Sequence, residues 1–262
     1  MPKRRNGVFA EVRLQKICTL LQEKGEVSVA ELCEKFSTSS ATIRSDLAKL
    51  EALNQLKRTH GGAILMDGFD RELTTKEKRT QNIAAKAAIA KRALEYIQPG
   101  SAVALDTGTT VLELAKRMQD IHGLTAITND VEIAQCLEQA PDIDILLLGG
   151  LMRKQFHCTV GTSVLQTLDQ LNIDTLFLAT NGLSLQHGLS TPSIEMANIK
   201  KRLIEISRKV ILLVDQSKLE VNSFVNFAQL SDVDVLITDA DIGEALKKEA
   251  GTAHIEFAHV SV

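Results

Sequence analysis

No stretch of the 262 residues approaches the roughly 18 consecutive apolar residues that a membrane-spanning helix needs. The charged start, Met1-Pro2-Lys3-Arg4-Arg5-Asn6, leads into no apolar segment of the kind that directs secretion. A cytoplasmic protein that does not enter the membrane is therefore expected. Cysteine is scarce. Cys18, Cys33, Cys136 and Cys158 show no Cys-x-x-Cys spacing and no accompanying pair of histidines, which argues against a zinc site. Cys18, Cys33 and Cys136 are expected as reduced, small apolar residues on helices. Internal repeats and low-complexity tracts are lacking too, and no cofactor is expected.

What is present suits a globular chain. Hydrophobic residues make up 44% of the sequence and the mean hydropathy is near zero, enough for two separate cores in this length. The net charge of −3 hides an asymmetry: residues 1–60 carry +4 and the remainder −7. A basic head on an acidic body suits a head that meets a polyanion.

Residues 1–65 read as a small helical domain. Leu14, Ile17 and Leu21 lie on one helical face that Gly25 ends. Val29, Leu32, Cys33 and Phe36 form a second stripe. The turn Ser37-Thr38-Ser39 follows, with Ser39 as N-cap of a third helix from Ser40 to about Leu53. Leu56–Leu65 reads as two short strands around a turn, a wing. The polar, charge-rich residues 66–80 are expected as a linker. In residues 81–262, a helix over 83–97 precedes apolar strands at Val103–Asp106, Leu124–Thr128, Ile143–Leu148, Thr175–Ala179, Val210–Asp215 and Val233–Thr238. Helical patterns fall between most of them, near 110–120, 130–140, 162–171, 194–208 and 240–250. That alternation predicts an α/β domain with a mostly parallel sheet.

Ile43, Leu47 and Leu50 facing inward would turn Ala41, Thr42, Arg44, Ser45, Ala48 and Lys49 outward. Arg44 can reach guanine edges in bidentate fashion. Ser39, Ser40, Thr42, Ser45 and Lys49 can meet phosphates or bases, and Lys57, Arg58 and His60 on the wing can contact phosphate or the minor groove. A helical interaction module with an ordinary charged face would show the same periodicity. Two stretches go further: Ser39–Leu47, reading SSATIRSDL, and Arg58–Ala63, reading RTHGGA. On these, residues 13–63 resemble the N-terminal domain of the DeoR family of sugar-metabolism regulators, whose wings typically read arginine-x-histidine-glycine-glycine-alanine. The resemblance implies a winged helix-turn-helix on double-stranded operator DNA. Thr38 departs from the family's small aliphatic residue, and Ser45 stands where a second arginine is usual, which predicts an altered or weaker base preference.

In the second domain, Asp106-Thr107-Gly108-Thr109-Thr110 follows a strand and opens a helix, as an anion cradle does. Thr128-Asn129-Asp130 repeats the arrangement at the next strand. Gly149-Gly150 and Gly161 supply turns, and Asp215-Gln216-Ser217-Lys218 ends a further strand with a cation. Ligands bind at such carboxyl ends. The family resemblance extends through residues 76–262, and that domain is in turn similar to ribose-5-phosphate isomerase, whose phosphate loop and strand-end lysine match Asp106–Thr110 and Lys218 in position. It implies a phosphorylated sugar held by Thr107, Gly108, Thr109, Thr110, Asn129 and Lys218, with Asp106 on sugar hydroxyls.

An isomerase needs a carboxylate base. In this resemblance the catalytic glutamate falls at Lys200, and the aspartate pair on Asn181-Gly182-Leu183-Ser184; Glu195 is the nearest acidic substitute. The expectation is a sensor that holds the sugar through Asn181 and Lys200 and does not turn it over. A sugar-phosphate isomerase carrying a DNA-binding head is the alternative. A dinucleotide enzyme fits less well, because the glycine spacing is wrong. A His157–Cys158 dyad also fits poorly, since neighbours on an extended segment point to opposite faces. The expected protein is a repressor of a carbohydrate-utilisation operon, acting as a dimer or tetramer on repeated half-sites.

Overall fold

The computed structural model describes residues 13, 14, 16, 17, 20, 21, 24–52, 56–64, 72–250 and 254–258. Cys18, Leu53, Leu65 and residues 66–71 of the expected linker lie outside them. The chain forms two compact units, Met1–Glu72 and Leu73–Val262. No helix among the described residues is long and apolar enough to cross a membrane.

The first unit contains β1 (Glu26–Ser28), α1 (Val29–Phe36), α2 (Ser40–Ala52), β2 (Lys57–Arg58) and β3 (Gly62–Ile64). Ile17, Leu21, Leu32, Ile43, Leu47 and Leu50 are buried in its core. Gly25 ends the preceding helical segment with φ 78° and its N–H on Leu21 O at 2.8 Å. Sequence periodicity missed β1, because three residues with one apolar member carry no pattern. It pairs antiparallel with β3 and makes the wing three-stranded, in the order β1-β3-β2.

In the second unit, residues 75–79 of the expected linker form a helix, α3 (Thr75–Arg79), closed by a capping box. Thr74 N–H donates to Glu77 Oε2 at 2.8 Å, and Glu77 N–H to Thr74 Oγ1 at 3.3 Å. The signal was present as threonine followed three residues on by glutamate. Next come α4 (Ile83–Ala93), β4 (Ala102–Leu105), α5 (Thr109–Ala115), β5 (Leu124–Thr128), α6 (Val131–Leu137), β6 (Ile143–Leu147), β7 (Leu151–Arg153), β8 (Cys158–Val160), α7 (Thr162–Leu168) and β9 (Ile173–Ala179). The remainder is β10 (Gly182–Ser184), β11 (Gly188–Thr191), α8 (Ile194–Glu205), β12 (Ser207–Val214), β13 (Val225–Ala228), β14 (Val235–Thr238), α9 (Gly243–Ala250) and β15 (His254–Phe257).

Seven strands make one parallel sheet in the order β15-β14-β12-β9-β4-β5-β6. Successive strand residues bury alternately on its two faces. Ala104, Leu176, Leu178 and Leu212 pack toward α7 and α8; Val103, Leu105, Phe177, Ile211 and Leu213 pack toward α4, α5 and α6. Double burial is why these strands read as continuous apolar runs. From β4 the chain winds outward to β5 and β6, then returns to β9 on the other side. The direction of winding reverses between β4 and β9, the place where open sheets of this kind leave a crevice at their carboxyl ends.

Candidate functional site

In the first unit, Ser39 opens α2 as expected. Its Oγ accepts the Thr42 N–H at 3.3 Å and lies 2.9 Å from Thr42 Oγ1, so the two hydroxyls serve first as a cap. Ser40, Arg44, Ser45 and Lys49 are exposed on one side of α2, and Lys57, Arg58 and His60 are exposed on the wing. Asp46 turns inward and meets Arg13 Nε at 2.5 Å, tying the first helical segment to α2. The wing turn closes with Thr59 N–H on Gly62 O at 3.0 Å. A Cβ at Gly62 would fall 2.0 Å from Val27 O, so β1 and β3 can approach only with glycine there.

In the second unit, the crevice between β4 and β9 holds a pocket lined by the loop after β4 (Thr107, Gly108, Thr109, Thr110), the loop after β9 (Thr180, Asn181) and residues after β12 (Asp215, Lys218). Lys200 from α8 joins them, so the structure gathers seven of the nine expected effector residues. Gly108 takes φ 153°, and a Cβ there would lie 3.2 Å from Ala179 Cβ. Threonine hydroxyls and the Lys218 ammonium in one crevice are groups able to hold an anion with hydroxyl neighbours.

Asp106 and Asn129 are not brought to the pocket surface. Asp106 is fully buried beneath it, where its Oδ2 accepts the Ala179 N–H at 2.9 Å and pairs with Lys200. Asn129 is equally buried and donates Nδ2 to Thr159 O at 2.8 Å, tying β5 to β8. Position at a strand end does not fix which way a side chain turns, and both turn into the protein. Asp130, beside Asn129, caps α6 through its Oδ1 and accepts a hydrogen bond from Thr107. Burial pushes its carboxyl up to about 6, against the hydrogen bonds that favour the anion.

Among the lining residues that the sequence does not mark are Thr180 after β9 and a whole wall, Lys78, Gln81, Asn82 and Lys86, from α3, the turn after it and α4. Lys86 is buried, with its ammonium on the Lys78 and Gln81 carbonyls, and burial holds its pKa below the ordinary lysine value, partly offset by Asp215. Asn82, at φ 52°, donates Nδ2 to Asp215 Oδ1 at 2.8 Å. The available signal for the wall was a lysine on the buried face of an alanine-rich helix.

Asp215 is the only carboxylate among the lining residues, and its Oδ1 already accepts from Asn82 and from Ser217 N and Oγ. Glu195 is exposed on α8 and does not line the pocket. His157 and Cys158 also stay apart from it: His157 Nδ1 lies 2.5 Å from Glu132 Oε1, and Cys158 is buried against Met196.

Residues 13–68 match the family described as the DeoR-like helix-turn-helix domain, and residues 81–240 match the DeoR C terminal sensor domain. The chain is 35% identical to the HTH-type transcriptional regulator GlpR of Haloferax volcanii, over 93% of this chain and 95% of that protein. It is 34% identical to a putative aga operon transcriptional repressor of Escherichia coli, over 90% of each. Among solved structures, a D-ribose-5-phosphate isomerase in complex with phospho-erythronic acid is 20% identical, with a TM-score of 0.38, over 51% of this chain and 52% of that one. The two family matches span both units in the order in which the chain builds them, and the protein is a transcriptional regulator of the DeoR family, with a DNA-binding helix-turn-helix domain followed by a sensor domain.

Proposed function

We propose that this regulator represses a carbohydrate-utilisation operon and that a phosphorylated sugar, bound in the pocket between β4 and β9, controls it. The observation that carries the reading is the convergence of Thr107, Thr109, Thr110, Lys86, Lys200 and Lys218 on one crevice. The phosphate sits among the threonines and Lys218, and the sugar extends toward Asn181 and Lys200. The one lining carboxylate, Asp215, is engaged through Oδ1 by Asn82 and Ser217, which supports a sugar that is held and released unchanged. On DNA, Arg44, Ser45 and Lys49 face the major groove with Ser40 at its edge, while Ser39 and Thr42 shape the helix start. Lys57, Arg58 and His60 reach the backbone or minor groove, and two or four copies read repeated half-sites.

The pocket measures about 50 Å³, below the roughly 300–1,000 Å³ of common ligand sites. A sugar phosphate therefore enters as one wall yields. The wall formed by Lys78, Gln81 and Asn82 belongs to the first segment of the sensor after the boundary at Glu72. Its displacement gives the effector a route to the DNA-binding unit, and coupling between effector and operator is reciprocal. The test is a mobility-shift titration of operator DNA with a panel of sugar phosphates and their unphosphorylated sugars. Control is supported if one phosphorylated sugar shifts operator affinity and its parent sugar does not. If none does, the effector reading fails and the DNA reading stands.

A further inference from the structure

One residue on the exposed side of α2 runs against its surroundings. Glu51 lies in the last turn of the helix, where the negative end of the helix dipole disfavours a carboxylate. It stands seven residues beyond Arg44, and at 3.6 residues per turn that returns to the same face within about 20°. This face is the one read above as meeting DNA, a polyanion. Asp46, the other carboxylate of α2, is turned inward on Arg13, so Glu51 is the only one that α2 exposes. A side chain opposed by its own helix and by the intended partner calls for a compensating gain.

Its contacts supply one. Glu51 Oε1 accepts the backbone N–H of Arg58 at 3.0 Å, and Oε2 lies 3.7 Å from Arg58 Nε. Strand β2 is the outer strand of the wing sheet, so an outward N–H there needs a partner from elsewhere. A half-exposed ion pair at this distance adds little stability by itself. The backbone bond and the ion pair together fix where the wing and its arginine stand relative to α2.

We propose that Glu51 is a positioning residue for DNA reading. It ties the wing to the recognition helix, restrains the Arg58 guanidinium, and opposes indiscriminate attraction to phosphate. The proposal rests on the reading of α2 and the wing as the DNA-binding surface. The two roles separate chemically: glutamine keeps an acceptor for the Arg58 N–H and drops the charge, whereas alanine removes both.

The experiment uses the full-length protein as wild type, Glu51→Gln, Glu51→Ala, Arg58→Met and the Glu51→Gln/Arg58→Met double variant. Affinity is measured against salt for two probes: the duplex that the wild type enriches from a random-sequence library, and sheared salmon-sperm DNA. Glu51→Gln is expected to bind salmon-sperm DNA more tightly and to lose discrimination. Its salt slope should steepen by about one phosphate contact, a further loss of about threefold in affinity between 50 and 200 mM salt. Glu51→Ala should lose more discrimination than Glu51→Gln, and the Arg58→Met background should abolish the change in slope. If folded Glu51→Gln keeps the wild-type slope and discrimination, or if the change persists with Arg58→Met, the proposal is overturned. Equal loss in the glutamine and alanine variants overturns the backbone tie. If the wild type enriches no duplex, the underlying DNA reading falls with it.

Discussion

Lys200, at the floor of the pocket, forms an ion pair with Asp106 beneath it, with side-chain exposures of 4% and 0%. The pair joins α8 to the end of β4. The Ala179 peptide region at the end of β9 completes the clasp, its N–H on Asp106 at 2.9 Å and its carbonyl taking Lys200 Nζ at 3.0 Å. The three elements that frame the pocket are thus held by two buried charges that need each other.

Removing one partner strands the other charge away from water. Lys200→Met is expected to destabilise the protein by about 3–5 kcal/mol, read as a lower denaturation midpoint. The double variant Lys200→Met/Asp106→Leu should recover much of that loss. A single variant as stable as wild type would refute the clasp.

Lys218 contributes charge to the pocket from the end of β12 without being fully buried. Lys218→Ala should weaken binding of the tightest sugar phosphate by roughly 10- to 100-fold, the worth of a charge-assisted hydrogen bond of about 1.5–3 kcal/mol. Thermal stability should change little. Calorimetric titration checks this, with the unphosphorylated sugar as control. Equal affinity in wild type and variant would remove Lys218 from the site.

Asp130 predicts a pH dependence of known sign. Its folded pKa is raised from 3.8 to about 6 by burial. The folded protein therefore holds the proton more tightly than the unfolded chain does. Stability contributed at low pH is lost as pH rises through about 3.8 to 6 and is level above that. A shift of about two units corresponds to roughly 3 kcal/mol. Asp130→Asn keeps a capping acceptor for α6 and removes the titration. It should be more stable than wild type at pH 7, with the difference shrinking toward pH 4. Parallel stability–pH curves would contradict this.

Gly61 and Gly62 make a matched pair. No atom lies within 4 Å of a Cβ built on Gly61, whereas one on Gly62 meets Val27 O at 2.0 Å. Gly61→Ala should leave DNA binding intact and stability within about 0.5 kcal/mol. Gly62→Ala should part β1 from β3 and abolish DNA binding while the sensor still binds its effector. Normal DNA affinity of Gly62→Ala would disprove the close approach.

Ser45 lies exposed on α2 beside Arg44. Ser45→Arg should alter the bases enriched from a random duplex library, or tighten their binding, by about 1–3 kcal/mol at the affected position. An unchanged preference and affinity would remove Ser45 from the reading surface.

Local pattern and motif carried much of this protein. The apolar runs announced a sheet buried on both faces, and Arg58-Thr59-His60-Gly61-Gly62-Ala63 announced the wing. Those features follow from near neighbours in the chain: a stripe repeats every few residues, and a glycine marks a turn a few residues long. The direction of a side chain at a strand end was not legible in that way. Asp106 and Asn129 stand where ligand groups stand, yet Lys200, 94 residues away, and Thr159, 30 residues away, draw them into the protein. The wall of Lys78, Gln81, Asn82 and Lys86 was equally hidden, since only the packing of α4 against the sheet brings it opposite Asp215. Sequence by itself determined the helix-turn-helix, the wing and six of the seven strands of the parallel sheet, because neighbours along the chain suffice for these. The short strands β1, β7, β8, β10, β11 and β13 and the edge strand β15 carry too little pattern to be read. Tertiary structure alone decided which charges line the pocket and which turn into the protein beneath it, because buried charges take whatever partner the fold delivers.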